Sequence, residues 1–244
     1  MKLATDRYGR DWSDDYDDIS PLAAESTAAA VRTLTELGAP GPVLELAAGT
    51  GRLAVPLAAG GLRVVATDSS SAMLAKLRRK DPTGRVSTRL ESLPDIGGTE
   101  RFRLIVLAYN SFRYLLSQDD QIHCLRSVRQ HLAERGVFVI EMTTFDPHRY
   151  LENPVASLSE DHLFLKFGSY DPLTQLLEQH YLVVRSGTVS LRPDVSRIVP
   201  PAELDLMARL AGLRLSDRWG GWRREPASAA SRDIISVYTS DGRA

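Results

Sequence analysis

The sequence has few of the residues that make a disulfide framework or a metal site. It has one cysteine among 244 residues, so no internal disulfide can form. The helical pattern around Cys124 instead predicts a small buried hydrophobic residue. The five histidines do not show the spacing of metal ligands. We therefore expect neither a disulfide scaffold nor a bound metal.

An excess of charge and a long apolar run are also missing. Thirty Lys and Arg residues nearly balance 31 Asp and Glu residues, and the net charge of −1 favours neither nucleic acid nor a membrane as a partner. The sequence has no run of about 18 apolar residues, and residues 1–18 are acidic and polar rather than signal-like. These features predict a cytoplasmic protein without a nucleic-acid or membrane partner.

The most informative segment is 43–54, VLELAAGTGRLA. Its apolar start predicts a buried parallel strand, and Gly49 and Gly51 predict a turn that leads into a helix. Small residues let a ligand lie against the backbone beside the free N–H groups of the helix N-terminus. The glycines and Asp68 nearly satisfy the dinucleotide-binding pattern. Glu45 distinguishes the ligands, because an acid there would repel a pyrophosphate and favour a cationic or neutral group.

This spacing resembles the first motif, E/D-x-G-x-G-x-G, of class I S-adenosylmethionine-dependent methyltransferases, with Ala47 in place of the first glycine. Strands and helices alternate over 42–141 as in that family, and a late helix with two final strands resembles its antiparallel ending. The resemblance implies an α/β fold with a doubly wound, mostly parallel, seven-stranded Rossmann-like sheet. It also implies S-adenosyl-L-methionine as the cofactor.

We expect a single domain, because 244 residues suffice for one core. After residue 160 the alternation of strand and helix gives way to period-two runs, which predict a late antiparallel insertion. The expected parts are an N-terminal helical lid (1–37), a cofactor-binding core (42–150), an antiparallel cap insertion (151–200) and a C-terminal helix with the last strands (201–244). The insertion could cover the pocket or join two copies in a homodimer.

The cofactor site follows from the strand ends. Asp68 ends the second predicted strand, where it could accept hydrogen bonds from both ribose hydroxyls or cap the next helix. In the family, an acid followed by a small residue after the third strand meets the adenine, which gives that role to Glu91 and Ser92. Met73 would lie beside the adenine or in the core. The expected cofactor-binding residues are Tyr16, Glu45, Ala47, Gly49, Gly51, Asp68, Ser69, Met73, Glu91, Ser92 and Ala108.

The segment after the fourth strand lies where the reacting groups are expected, because ligands of parallel sheets bind beyond the carboxyl ends of the strands. Aromatic rings there would suit a positively charged sulfonium. The expected substrate-binding residues are Tyr109, Asn110, Phe112, Phe145, Tyr150 and Trp222. A weak nucleophile would also need a proton acceptor, for which the candidates are Tyr114, His148 and Tyr16.

The resemblance therefore implies methyl transfer to a nitrogen, oxygen or carbon nucleophile of a small molecule, with natural-product and aminosugar N-methyltransferases as the nearest analogues. In the aminosugar enzymes a histidine tends to follow the fourth strand, whereas this chain has Tyr114, which counts against an amine. Two alternatives stay open. One is an NAD(P)-dependent oxidoreductase, against which Glu45 argues, and the other is a non-catalytic small-molecule-binding module of the same fold. The near-neutral charge disfavours an RNA or protein substrate.

Overall fold

A computed structural model of the protein describes residues 12, 16–19, 24–147, 151, 155–158, 162–185 and 187–242. The strands of the larger sheet are β1 (Val43–Leu46), β2 (Val64–Asp68), β3 (Val86–Leu90), β4 (Phe102–Leu107), β5 (Leu132–Thr143), β10 (Leu213–Trp219) and β11 (Asp233–Ser240). Their order across the sheet is β3–β2–β1–β4–β5–β11–β10. The first five run parallel, whereas β11 runs antiparallel to both of its neighbours. The predicted seven-stranded, mostly parallel sheet is confirmed.

Helices cover both faces of this sheet. They are α1 (Tyr16–Ile19), α2 (Ala24–Gly38), α3 (Ala54–Ala59), α4 (Ser71–Lys80), α5 (Gln118–His131) and α6 (Pro201–Leu210). Side chains of α2, α3 and α4, such as Leu34 and Leu77, are buried against one face. Side chains of α5 and α6, such as Cys124 and Leu204, are buried against the other. With both faces covered, all of β1 is buried, as its apolar sequence predicts.

A second, antiparallel sheet lies between β5 and α6 in the chain. Its strands, in sheet order, are β6 (Val155–Leu158), β7 (His162–Asp171), β8 (Leu176–Arg185) and β9 (Thr188–Arg197). One face, called here the inner face, buries Phe164 and Val183 in a cluster with Trp12. The opposite, outer face exposes Phe167 and Leu191. The predicted late antiparallel insertion is confirmed.

The reversal of strand order between β1 and β4 places a crevice at the carboxyl ends of these two strands in the larger sheet. The chain leaves β1 for α3 on one face of the sheet, and it leaves the adjacent β4 for α5 on the other face. Where neighbouring strands lead to helices on opposite faces, a crevice opens at their carboxyl ends. Among the described residues, no helix is both long and apolar enough to cross a membrane.

Candidate active site

A pocket opens at the carboxyl ends of β1 and β4. Its floor is formed by the chain that follows each strand, and α1 lies over it. The lining residues are Tyr16, Asp17, Thr27, Glu45, Ala47, Ala48, Gly49, Thr50, Arg52, Lys80, Ala108, Tyr109 and Ser111. Both strand ends that the sequence points to therefore meet at one site.

The turn after β1 depends on left-handed backbone. The φ angles are 50° at Ala47, 56° at Gly49 and 85° at Gly51. A Cβ atom at Gly51 would lie 2.7 Å from the Leu77 Cγ atom, so the close packing of the turn on α4 requires glycine there. Ala47 occupies a conformation that glycine adopts more easily, which explains physically why the family motif has glycine at this position.

The carboxylate of Asp68 ties this turn to the second strand. One oxygen accepts the Gly49 N–H at 2.8 Å, and the other accepts the Ser70 N–H at 2.8 Å. Burial raises the pKa of Asp68, although the two backbone hydrogen bonds oppose that shift. Asp68 therefore positions the glycine turn at the entrance to α4.

Two buried polar groups in the pocket lack partners among the described residues. They are the Oε2 atom of Glu45 and the Nη1 atom of Arg52. Burial raises the pKa of Glu45 to about 8, and the nearby Arg52 opposes the rise. An unsatisfied buried polar atom costs free energy, so these two atoms favour a ligand with a positive group beside a negative one. The sequence pattern gives no signal for Arg52, although this residue directly follows Gly51 in the motif.

Glu141, on β5, connects Tyr109 and Arg52, which line the pocket, to Trp222. Its carboxylate accepts the Trp222 indole N–H at 2.6 Å and the Tyr109 backbone N–H at 2.9 Å. It also forms an ion pair with Arg52 at 3.2 Å. The Arg52 guanidinium lies 5.9 Å from the centre of the Tyr109 ring. Glu141 thus fixes a cation and an aromatic ring side by side at the pocket.

α1 is held over the pocket by polar contacts. Asp17 accepts a hydrogen bond from the Thr50 hydroxyl at 2.6 Å, and it pairs with the Lys80 ammonium at 2.6 Å. Lys80 also donates to the Thr50 hydroxyl oxygen at 2.9 Å. These contacts bring the adjacent Tyr16 into the pocket lining, where burial and then Tyr109 raise the pKa of its phenol.

Comparisons with known proteins agree with this geometry. The methyltransferase domain family matches residues 43–136, from the start of β1 into β5. The solved structure of the CcbJ methyltransferase from Streptomyces caelestis is 34% identical to this chain, covers 97% of both chains and has a TM-score of 0.86. This chain belongs to the class I S-adenosylmethionine-dependent methyltransferases.

Other relatives support the same family. The cypemycin N-terminal methyltransferase of a Streptomyces species is 28% identical over 201 residues, which are 80% of this chain and 81% of that protein. An S-adenosylmethionine-dependent methyltransferase from Clostridium acetobutylicum shares the fold, with 17% identity, a TM-score of 0.82 and coverage of 96% and 99% of the two chains. S-adenosylmethionine is the cofactor, and neither alternative from the sequence is supported.

Several predicted cofactor residues of the methyltransferase do meet in the pocket. Tyr16, Glu45, Ala47, Gly49 and Ala108 line it, and Tyr109, predicted to bind the substrate, lines it too. Asp68 and Gly51 shape the turn behind that lining, and Ser69 is half-buried between Asp68 and α4. Their contacts with the cofactor stay predictions.

The residues predicted to meet the adenine lie away from this lining. The Glu91 carboxylate accepts the Gly97 N–H at 3.2 Å, while Ser92 is exposed. Met73 is buried beside Trp12 in the cluster under the second sheet. Of the two alternatives for Met73, this burial favours the core.

The structure corrects the expectation that Phe112 and Trp222 contact the substrate. Phe112 is fully buried in the core, because the short 3₁₀ helix Ser111–Tyr114 turns its ring away from the pocket. Trp222 is 5% exposed, and its N–H is bound to Glu141. Trp222 therefore holds Glu141 in place and does not itself line the pocket.

Two other predicted substrate residues make contacts within the protein. The Asn110 amide accepts the Thr143 N–H at 2.7 Å and donates to the Thr143 hydroxyl at 3.1 Å, which ties the chain after β4 to β5. The Phe145 ring packs on Tyr170, with the ring centres 4.5 Å apart. His148 and Tyr150 lie outside the described residues.

Tyr114 is not among the residues that line the pocket, but it lies in the same short helix as Ser111, which does line it. In a 3₁₀ helix, side chains three positions apart lie on the same face, so Tyr114 follows the pocket-lining Ser111. Its hydroxyl donates to the Asp194 carboxylate on β9 at 3.4 Å. Burial raises the pKa of Asp194 to about 6. The sequence pattern gives no signal for Asp194, because only the second sheet brings it to this place.

Proposed function

We propose that this enzyme transfers the methyl group to the amine nitrogen of a small molecule, and that the amine sits beside Tyr114 and Asp194. Tyr114 by sequence counts against an amine, but in the structure its phenol pairs with the Asp194 carboxylate, and this pair carries the proposal. Tyr114 lies in the short helix that begins with the pocket-lining Ser111. A carboxylate attracts an ammonium and can take its proton, which frees the nitrogen lone pair for attack. The relative named as an N-terminal methyltransferase gives independent support for a nitrogen acceptor.

We further propose that Glu45 and Arg52 hold the amino-acid end of S-adenosylmethionine. The unpartnered Glu45 oxygen suits its ammonium, and the unpartnered Arg52 N–H suits its carboxylate. Asp68 still has acceptor capacity for hydroxyl groups, because each carboxylate oxygen can accept more than one hydrogen bond. When bound, the cofactor supplies a methyl group already activated by its sulfonium.

The protein then has to orient the acceptor, exclude water and accept a proton. The electron-rich rings of Tyr16 and Tyr109 suit a positive charge in the pocket. With a pKa of about 6, Asp194 is about 90% ionised at pH 7, so it can bind an ammonium and receive its proton. Alignment of the two reactants would supply most of the rate enhancement.

The first experiment measures binding by calorimetry. S-adenosylmethionine and S-adenosylhomocysteine should bind the wild type, NAD and NADP should not, and Asp68→Ala should weaken binding of the adenosyl ligands. A double variant, Glu45→Gln with Arg52→Met, should no longer bind S-adenosylmethionine or S-adenosylhomocysteine. This loss of binding would support the placement of the amino-acid end of these ligands at Glu45 and Arg52. Unchanged binding in that double variant would contradict it.

The acceptor atom is tested by mass spectrometry on matched compounds that carry either an amine or a hydroxyl on the same scaffold. Methyl transfer to the amines alone is expected. Asp194→Asn should lose transfer at least tenfold yet keep its affinity for S-adenosylhomocysteine. Transfer only to the hydroxyl compounds would contradict the proposal. A cytoplasmic location, a homodimer and the absence of a nucleic-acid partner stay predictions from the sequence.

A further inference from the structure

The inner face of the second sheet carries a buried side-chain amide that has no role in the cofactor and amine binding proposed above. Gln179, on β8, is 3% exposed. Its Oε1 atom accepts a hydrogen bond from the Tyr181 hydroxyl at 3.2 Å. Its Nε2 atom is buried and has no hydrogen-bond partner among the described residues. A buried N–H₂ group without an acceptor costs free energy, so its presence calls for a ligand.

The position of Gln179 relates it to the proposed amine site. In the antiparallel ladder of β8 and β9, Gln179 stands directly opposite Asp194. Side chains at directly opposed positions lie on the same face, with Cβ atoms about 4.5–5.5 Å apart. Asp194 accepts the hydrogen bond of the Tyr114 hydroxyl, as described above. If Asp194 holds the amine of a molecule, the Gln179 amide can reach the atoms of that molecule next to the amine.

The other side of Gln179 also leads to the pocket. Tyr181 packs on Trp12, with the ring centres 5.0 Å apart, and both belong to the cluster that includes Tyr16. Tyr16 lines the cofactor pocket. Gln179 and Asp194 therefore lie between Tyr114, in the helix that begins with the pocket-lining Ser111, and the Trp12 cluster, which includes the pocket-lining Tyr16.

We propose that Gln179 is a specificity residue that donates a hydrogen bond to an oxygen of the acceptor molecule, next to the amine held by Asp194. This inference rests on the proposed amine acceptor. An amide N–H donor beside a carboxylate is complementary to an amine with a hydroxyl or carbonyl oxygen a few bonds away. A plain alkylamine would leave the amide unsatisfied, so the enzyme should discriminate against it.

The test uses two probes that differ by one hydroxyl, trans-2-aminocyclohexanol and cyclohexylamine, titrated by NMR into the enzyme saturated with S-adenosylhomocysteine. The amino alcohol should bind the wild type about tenfold more tightly, as expected for one hydrogen bond to a buried donor. Gln179→Met has a similar shape without the amide, and it should abolish this preference. Glu178→Met, on the same strand but exposed on the outer face, should retain it.

The outcomes separate the two proposals. Equal binding of both probes to the wild type, or a preference that survives in Gln179→Met, would overturn the role of Gln179 and leave the amine site intact. If neither probe binds while S-adenosylhomocysteine does, the amine site fails and the inference fails with it. Thermal unfolding of the ligand-free proteins gives a second readout. Gln179→Met also removes the acceptor of the Tyr181 hydroxyl, so it is compared with Tyr181→Phe, which loses the same hydrogen bond. Gln179→Met should be no less stable than Tyr181→Phe, and a clearly lower stability would show that the amide N–H₂ group already has a partner in the fold.

Discussion

Affinity for the cofactor product should increase with pH, because Glu45 must be ionised to pair with an ammonium. Burial raises the pKa of Glu45 to about 8 in the free protein, against the attraction of Arg52. With that pKa, about 1% of Glu45 is ionised at pH 6 and about 9% at pH 7. If only the ionised form binds the ligand ammonium, the affinity for S-adenosylhomocysteine should rise about ninefold over this interval.

The measurement is isothermal titration calorimetry at pH 6.0, 6.5 and 7.0 in two buffers of different ionisation enthalpy. Because Glu45 is mostly protonated before binding, about 0.9 proton should be released per ligand at pH 7. Glu45→Gln should bind more weakly, with little dependence on pH. Glu100→Gln, an exposed carboxyl in an ion pair with Arg89, is the control and should follow the wild type.

Stability of the free protein gives an independent test of the same pKa. A carboxyl group whose pKa is higher in the folded state contributes stability that is complete below its unfolded pKa and is lost as pH rises through the folded value. For Glu45 the interval runs from 4.5 to about 8 and corresponds to at most about 5 kcal/mol. Glu45→Gln should flatten this part of the curve of unfolding free energy against pH.

The affinity measurement can refute the role of Glu45 in two ways. The wild-type affinity for S-adenosylhomocysteine could change less than twofold between pH 6 and 7, or Glu45→Gln could show the same pH dependence as the wild type.

Three further substitutions test the supports of the site. Lys80→Met should raise the Kd for S-adenosylhomocysteine about two- to fivefold, because the half-exposed pair with Asp17 contributes about 0.5–1 kcal/mol, and high salt should reduce the difference. Trp222→Phe should lower the free energy of unfolding in urea by about 2–3 kcal/mol, since it leaves a buried Glu141 oxygen without its donor; no change would remove Glu141 from its supporting role. Gly51→Ala should lose both stability and ligand binding, and a variant that binds normally would contradict the strained turn.

The sequence alone was enough to predict the fold, the cofactor and the strand ends at which the pocket opens. The glycine turn, Glu45 and Asp68 are local features, because each follows the end of a buried strand and short apolar runs identify those strands. Parallel strands bring their carboxyl ends to one edge of a sheet, so the pocket between β1 and β4 could be predicted before any side chain was placed. The late antiparallel insertion could also be predicted, because its period-two pattern is strong.

Only the tertiary structure decided which distant side chains complete the site. Glu141 and Trp222 are 81 positions apart, and Tyr114 and Asp194 are 80 apart, so no local pattern relates them. The direction of a ring after a strand is equally undetermined by sequence, because one turn of a short helix sends Phe112 to the core while the Tyr114 hydroxyl reaches Asp194 on the second sheet. Which face of the second sheet is buried depends on the elements that pack against it, and the strand pattern does not contain that information.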